Sequence, residues 1–144
     1  MSRNALEDLV RLTAAVRQAE EARMQRLAEE ETALRAELAT LDAARREAHA
    51  LSAPELAGPR SVGADILWQG WVSRNRRTLQ LRLARVLARK GDALRDLRRA
   101  HGRSEAAEAL SISARRERHD DRLKAEITEE QRLILLKSGD RDVS

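Results

Sequence analysis

The chain has 144 residues, of which 36% are charged and 1% aromatic, with a formal net charge of +4. The apolar fraction of 42% is too high for a wholly disordered chain, while the near absence of aromatic side chains argues against a β fold with a compact core. No cysteine is present, which excludes a disulfide framework, a thiolate zinc site and a cysteine nucleophile. Abundant Ala, Leu, Glu and Arg are instead typical of a coiled coil.

A first helix is predicted over residues 4–50, which contain neither Gly nor Pro. Apolar side chains recur there in steps of three and four residues, which predicts a seam for a partner helix. Three leucines lie one heptad apart: Leu27, Leu34 and Leu41. Glu20 and Arg23 interrupt the seam and are expected to weaken it. Asn4 is the predicted N-cap, because its side chain can accept a hydrogen bond from an unpaired amide.

The following segment, residues 51–64, breaks the helical pattern. It contains both prolines, Pro54 and Pro59, and two of the six glycines. Proline removes a backbone donor and clashes with a continuing helix, so one uninterrupted rod is not expected. The segment therefore predicts the turn of a helical hairpin.

A second, longer helix is predicted over residues 65–136, followed by a flexible tail at 137–144. Its inward residues are expected to be Trp68, Trp71 or Val72, Leu79, Leu83, Val86, Ala93, Leu97, Ala100, Ala107, Leu110 and Ala114. At 1.5 Å per residue the helices span roughly 70 and 105 Å, so the second overhangs the first by some twenty residues. The predicted fold class is all-α: a long antiparallel two-helix coiled-coil hairpin with an overhanging C-terminal helix, forming one domain over 1–144.

Charge is concentrated in a basic belt over residues 74–103, which hold 11 basic and two acidic side chains, a net charge of +9. The belt follows Trp68 and Trp71, which are three residues apart and so share one helix face. Trp and Arg are frequent hot spots of protein interfaces, which favours a docking anchor here. A hydrophobic plug that stabilises the hairpin tip is the alternative for the tryptophans, and a solvated helix face is the alternative for any single arginine.

Motifs of catalysis and metal binding are missing from the sequence: it has no Gly-rich phosphate loop, nucleophile elbow or His-Glu-x-x-His pattern. Neighbouring helical residues such as His119 and Asp120 point in different directions and cannot converge on one metal ion. We therefore expect no catalytic residue, no metal site and no cofactor, and predict that the chain is not an enzyme. No stretch approaches the roughly 18 apolar residues of a membrane span, and no signal peptide is visible, which predicts a cytoplasmic protein without membrane insertion.

The layout of two helices around a breaker carries a family resemblance. The first helix contains Leu6-x-x-Leu9-x-Arg11-Leu12 and then Arg17-x-x-Glu20-Glu21-x-Arg23-x-x-x-Leu27-Ala28-Glu29. The second contains Ala100-His101-Gly102-Arg103-x-x-Ala106-Ala107-x-Ala109-Leu110 and a charged end, Glu126-Ile127-Thr128-Glu129-Glu130. Over nearly its whole length the chain resembles the FliJ/YscO family, the small coiled-coil stalk proteins of bacterial flagellar and type III secretion export.

This resemblance implies a non-enzymatic stalk or adaptor protein that is cytoplasmic and peripheral to a membrane export apparatus. The paired termini would enter the hexameric export ATPase, and the hairpin tip would meet the cytoplasmic domain of the export gate. The resemblance leaves export chaperones open as further partners. Carried onto this chain, the ATPase side comprises Leu9, Arg11, Val16, Arg118, Arg122 and Ile127. The gate side comprises Trp68, Trp71, Arg74, Arg76 and Arg77.

Two other interpretations remain open. The basic belt could bind the phosphates of a nucleic acid with a steep salt dependence, although acidic residues return between 105 and 130 and no recognition motif is present. The chain could also be a generic self-associating coiled-coil scaffold. Salt-sensitive DNA binding would indicate the first, and a tight homodimer without effect on an ATPase the second.

Overall fold

The computed structural model describes residues 2–51 and 59–143, which form two long helices packed against each other. Helix α1 spans Arg3–Leu51 and helix α2 spans Pro59–Arg141. These two segments contain no strand, and the predicted all-α helical hairpin is confirmed. Within the same segments no helix combines the length and the apolar content needed to cross a membrane.

The N-cap of α1 is Ser2 rather than the predicted Asn4. The Ser2 hydroxyl accepts a hydrogen bond from the backbone amide of Ala5 at 3.2 Å, and its carbonyl accepts one from Leu6 at 3.1 Å. The first of these bonds satisfies an amide that the first helical turn leaves unpaired, and the second is the first regular backbone hydrogen bond of the helix. Asn4 therefore lies inside the helix, where no cap is required.

Helix α2 is longer at both ends than the predicted 65–136. It begins at Pro59, because proline is well tolerated at the first helical position, where its missing amide hydrogen is not needed and its fixed φ already suits a helix. It continues to Arg141, so residues 137–141 of the predicted tail are helical. Of the predicted turn, residues 52–58 lie outside the described residues. The organisation into one domain stays a prediction.

The chain forms two compact units. Unit 1 comprises Met1–Arg17 and Ala100–Ser144, and unit 2 comprises Gln18–Arg99. Each unit contains a segment of α1 and a segment of α2, and each has its own buried side chains.

Unit 2 is an antiparallel helix pair joined by ion pairs across its two helices. Residue numbers that rise along α1 meet residue numbers that fall along α2, which fixes the antiparallel direction. The pairs are Arg23 with Asp96 at 2.9 Å, Glu30 with Arg89 at 3.5 Å, Glu31 with Lys90 at 2.6 Å and Asp42 with Arg76 at 3.2 Å.

The residues withdrawn from solvent in unit 2 alternate in steps of four and three along both helices. This spacing averages 3.5 residues per turn, which is the period of a left-handed coiled coil. On α1 the seam consists of Glu20, Met24, Leu27, Glu31, Leu34, Leu38 and Leu41. On α2 it consists of Val72, Arg76, Leu79, Leu83, Val86, Lys90, Ala93 and Leu97. The predicted leucine heptad is confirmed, and Val72 rather than Trp71 is the inward residue.

The polar interruption predicted at Glu20 and Arg23 is an ion-paired layer. Arg23 Nη1 donates to Asp96 Oδ2 at 2.9 Å and to Glu20 Oε2 at 3.4 Å. The hydrogen bond from Arg23 to Asp96 raises the pKa of the guanidinium above its already high ordinary value, so the group stays charged. The predicted weakening of the seam at this layer stays a prediction.

A second charged layer lies where Lys90 Nζ donates to Glu31 Oε2 at 2.6 Å. The hydrogen bonds from Lys90 and then from Arg35 hold the pKa of the Glu31 carboxyl below its ordinary value of 4.5. A carboxyl whose pKa is lowered by folding stabilises the folded state above that ordinary value, and the stabilisation is lost as the pH falls through the folded-state pKa.

Replacing Glu31 by Gln is therefore expected to lower the Tm at neutral pH by a few degrees and to have less effect in acid. We would measure the Tm of wild type and of Glu31→Gln by circular dichroism at about pH 7 and about pH 3. The difference between the two Tm values should be smaller at the lower pH. Glu47 is exposed on the same helix, so Glu47→Gln is the matched control and should show no such narrowing. A Tm difference for Glu31→Gln that is independent of pH would contradict the assignment of a stabilising, charged Glu31 carboxylate.

Unit 1 has a seam of small side chains on α2. Its inward residues there continue the same alternation and are Ala100, Ser104, Ala107, Ser111 and Ala114, while Leu6 is the buried residue on α1. The prediction that Leu110 points inward is wrong, since 53% of this residue is exposed. The strict seven-residue period selects position 111 and leaves Leu110 one residue outside the seam.

Ser104 is fully buried, and its hydroxyl has no hydrogen-bond partner among the described residues. A buried hydroxyl without a partner loses its hydration without compensation, and alanine has the higher helix propensity. We expect Ser104→Ala to raise the free energy of unfolding by about 1 kcal/mol, measured by urea denaturation. Ser113→Ala, on an exposed position of the same helix, is the control for propensity alone. A destabilised Ser104→Ala variant would show that the hydroxyl has a partner.

The part of α2 beyond the seam of unit 1 is exposed. Every described residue from His119 to Val143 is accessible to solvent, and we call this segment the C-terminal overhang. It agrees with the overhang of some twenty residues expected from the helix lengths.

Candidate partner-binding surfaces

The first candidate surface lies in unit 2, where the end of α1 meets the start of α2. Ala48 and His49 share a cavity there with Asp65 and Trp68. Trp68 and Trp71 also line a neighbouring open groove, which we call the tip groove. Its other lining residues are Ala36, Glu37, Thr40, Leu41, Ala44, Asn75 and Leu79.

The two tryptophans differ in exposure. Trp68 is half-buried, whereas 51% of Trp71 is exposed, and Asn75 donates a hydrogen bond to the Trp71 backbone carbonyl at 2.9 Å. Trp68 thus has the surroundings of a packing residue and Trp71 those of a surface side chain. The two alternative roles, a hydrophobic plug that stabilises the tip and a docking anchor for a partner, stay predictions for both tryptophans.

The three arginines predicted beside the tryptophans fall into two groups. Arg76 is half-buried and forms an ion pair with Asp42 at 3.2 Å. Arg74 and Arg77 are exposed and have no carboxylate partner in the part of the chain that the structure describes. Farther along the basic belt, Arg89, Lys90 and Arg95 are ion-paired. The charge available to a partner is therefore smaller than the sequence count suggests, and Arg74 and Arg77 provide part of it.

The second candidate surface is a cationic groove in unit 1, which we call the terminal groove. It is lined by Arg3, Glu7, Arg115, Arg118, Asp121 and Arg122. Arg3 pairs with Glu7 at 3.2 Å, and Arg122 Nε donates to the Arg118 carbonyl at 3.4 Å. With four guanidinium groups and two carboxylates, the groove keeps an excess of positive charge that suits an acidic surface.

The residues singled out from the sequence for this end include Arg118 and Arg122 but not Arg3 or Arg115. Arg115 could have been found from its spacing. It lies three residues before Arg118 and seven before Arg122, and residues at these separations share one helix face. Arg3 could not be found in this way, since it reaches the groove from the other helix.

The remaining residues predicted for the ATPase side do not line the terminal groove. Leu9 is half-buried and Val16 is exposed. Arg11 is exposed and pairs with Asp8 at 2.7 Å on its own helix. Ile127 is exposed on the C-terminal overhang, together with Leu123, Leu133, Ile134, Leu135 and Leu136.

Within the described segments, no three His, Asp or Glu side chains are grouped so that they could hold a metal ion. His101 instead lies 3.1 Å from Glu105, one turn along α2. Comparison of the chain with known protein families, with curated proteins and with solved structures finds no match.

Proposed function

We propose that the chain is a non-enzymatic stalk or adaptor of a flagellar or type III protein-export apparatus. The terminal groove and the C-terminal overhang bind the export ATPase, and the tip groove faces the cytoplasmic domain of the export gate. The protein then works in the cytoplasm beside a membrane export apparatus, with export chaperones as further partners. It links ATP hydrolysis by another subunit to the delivery of export substrates.

The observation that carries the proposal is the exposure of the whole C-terminal overhang. Six large aliphatic side chains are exposed there, within 14 residues of helix, from Leu123 to Leu136. Exposed apolar side chains at this density are typical of a surface that a partner covers. A regular helix of about 30 Å that projects such side chains is also long enough to enter the central hole of a ring-shaped partner.

The terminal groove is a second reason to propose that this end of the molecule binds the ATPase. Arg115, Arg118 and Arg122 lie on successive turns of one α2 face, where the seam of unit 1 ends and the overhang begins. Arginine forms strong, directional hydrogen bonds with carboxylates, so the groove favours a partner with acidic side chains at that point. Charge of this kind orients a partner during association, and the apolar overhang then supplies buried area.

The experiment that tests the proposal is ATP hydrolysis by the cognate export ATPase in the presence of this chain. The full chain is expected to increase the rate, and a chain that ends after Arg118 is expected to have no effect. The truncated chain keeps both seams, so circular dichroism should show that its hairpin is intact. The double variant Leu123→Asp, Ile127→Asp should reproduce the loss.

A matched control changes exposed leucines elsewhere. Leu87→Asp combined with Leu94→Asp places the same charges on exposed positions of unit 2 and should leave the stimulation unchanged. Failure of the full chain to bind or stimulate the ATPase would refute the proposal. Equal stimulation by the truncated chain would refute the role of the overhang.

A further inference from the structure

The outer face of α2 in unit 2, away from the seam, combines exposed apolar side chains with arginines. Residues 66–91 contain seven basic and no acidic residues. Leu67, Arg74 and Leu81 lie seven residues apart in one stripe along the solvent side, and Trp71 and Arg77 flank it, Trp71 on the edge that borders the tip groove. We call these residues, together with Ile66, the outer stripe of α2.

The apolar members of the outer stripe are open to solvent. Ile66 is 64% and Leu67 74% exposed, and Trp71 and Leu81 are more than half exposed. Four large apolar side chains within 16 residues of one helix form a patch that isolated surface leucines do not explain. Gly70 lies between them, and the Arg74 side chain reaches back to it, since a Cβ at this position would lie 3.4 Å from Arg74 Nη1.

The cationic members of the outer stripe are not used inside the fold. Arg76, Arg89 and Lys90 occupy the carboxylates of Asp42, Glu30 and Glu31 across the seam. Arg74 and Arg77 are exposed and have no ion-pair partner among the described residues. The acidic side chain next to the stripe in sequence is the exposed Asp65, one residue before Ile66.

We infer that the outer stripe of α2 binds the surface of an anionic lipid bilayer. A helix with exposed aliphatic residues, a tryptophan and arginines on one face lies in the membrane interface, with its apolar side chains among the first acyl carbons. Tryptophan prefers the headgroup level, and each arginine near an anionic surface contributes attraction to lipid phosphates. Arg74 and Arg77 lie one to two turns from Trp71, so all three side chains can reach that level together.

A nucleic acid fits this surface less well. Its phosphates would satisfy Arg74 and Arg77, but Ile66, Leu67 and Leu81 would find no apolar counterpart on a sugar-phosphate backbone. A bilayer satisfies both kinds of side chain at once. This inference goes beyond the proposed stalk function and does not depend on it.

The test uses the full chain with neutral phosphatidylcholine vesicles and with vesicles that contain about one third phosphatidylglycerol. Co-sedimentation measures the bound fraction, and intrinsic fluorescence reports on Trp68 and Trp71, the chain's two aromatic residues. We expect at least tenfold stronger partitioning onto the anionic vesicles, with a shift of the emission to shorter wavelength as Trp71 leaves water.

Two double variants separate the apolar from the cationic contribution. Ile66→Ser with Leu67→Ser should abolish the emission shift and lower partitioning at least tenfold. Arg74→Gln with Arg77→Gln should lower partitioning about 25-fold, since each arginine near an anionic surface contributes about fivefold. Leu110→Ser with Ile112→Ser and Arg98→Gln with Arg99→Gln are the matched controls on exposed positions outside the stripe and the overhang, and neither should weaken binding by more than about twofold.

Circular dichroism should show the hairpin intact in every variant, because none of these residues lies in the seam. Absence of binding to anionic vesicles would overturn the inference, as would unchanged binding after Ile66→Ser with Leu67→Ser. Binding of duplex DNA that exceeds vesicle binding, without an emission shift, would assign the surface to a nucleic acid instead. Because no ATPase is present, these outcomes are independent of the proposed stalk function.

Discussion

Replacing Val86 by Asp is expected to cost unit 2 at least about 3 kcal/mol of its free energy of unfolding, because a carboxylate would be buried without a partner. Val86 is 0% exposed and lies in the middle of the α2 seam. The new side chain could not reach water without separating the two helices, and the cation one turn farther along the seam, Lys90, is already paired with Glu31. Urea denaturation followed by circular dichroism should show either a much lower midpoint or no folded baseline.

Leu87→Asp is the control for this variant. Leu87 is the next residue on the same helix and is 42% exposed, so the same charge remains hydrated there. We expect a change of less than about 1 kcal/mol, mostly from helix propensity. Similar losses of unfolding free energy at both positions would contradict the placement of Val86 inside the seam and Leu87 outside it, since that placement is what distinguishes the two residues.

Truncating Leu34 to Ala is expected to lower the free energy of unfolding by about 2–4 kcal/mol through lost apolar burial and an unfilled cavity. Leu34 is 2% exposed and is the most deeply buried leucine of the α1 seam. At 2–4 °C for each kcal/mol, the Tm should fall by about 10 °C. Thermal unfolding followed at a helix-sensitive wavelength measures this shift directly.

Leu12→Ala provides the matched control on the same helix. Leu12 is exposed, so its truncation removes little buried surface and should change stability by less than about 0.5 kcal/mol. A comparable fall in Tm for both variants would mean that Leu34 contributes through helix formation rather than through packing.

The heptad pattern made the first helix and its seam predictable. Leu27 and Leu34 are one heptad apart and both are buried, and the predicted bounds 4–50 differ from Arg3–Leu51 by one residue at each end. The second helix was harder, because its inward residues include polar ones that carry no hydrophobic signal, namely Arg76, Lys90, Ser104 and Ser111. Leu110 was placed inward for its size, although the period of the seam selects Ser111.

The candidate surfaces were predictable only in part, because the sequence alone does not fix the register of two helices. Residue type alone does not distinguish Arg74, Arg76 and Arg77, yet of these three only Arg76 forms an ion pair with a carboxylate across the seam. The pairing of Glu31 with Lys90 determines which basic residues are neutralised and which stay free. The same limit applies to Arg3, whose approach to Arg115 follows from the folding of α1 against α2.

The small seam side chains of unit 1 have a consequence for local unfolding. Ala100 and Ala107 bury far less apolar area than leucines would, so each turn of that seam contributes less to holding the first turns of α1 in place. Segments with few buried apolar contacts open at lower free energy than the rest of a fold. Amide protons of residues 6–14 should therefore exchange with solvent faster than those of residues 27–41, so that α1 detaches from its start inward.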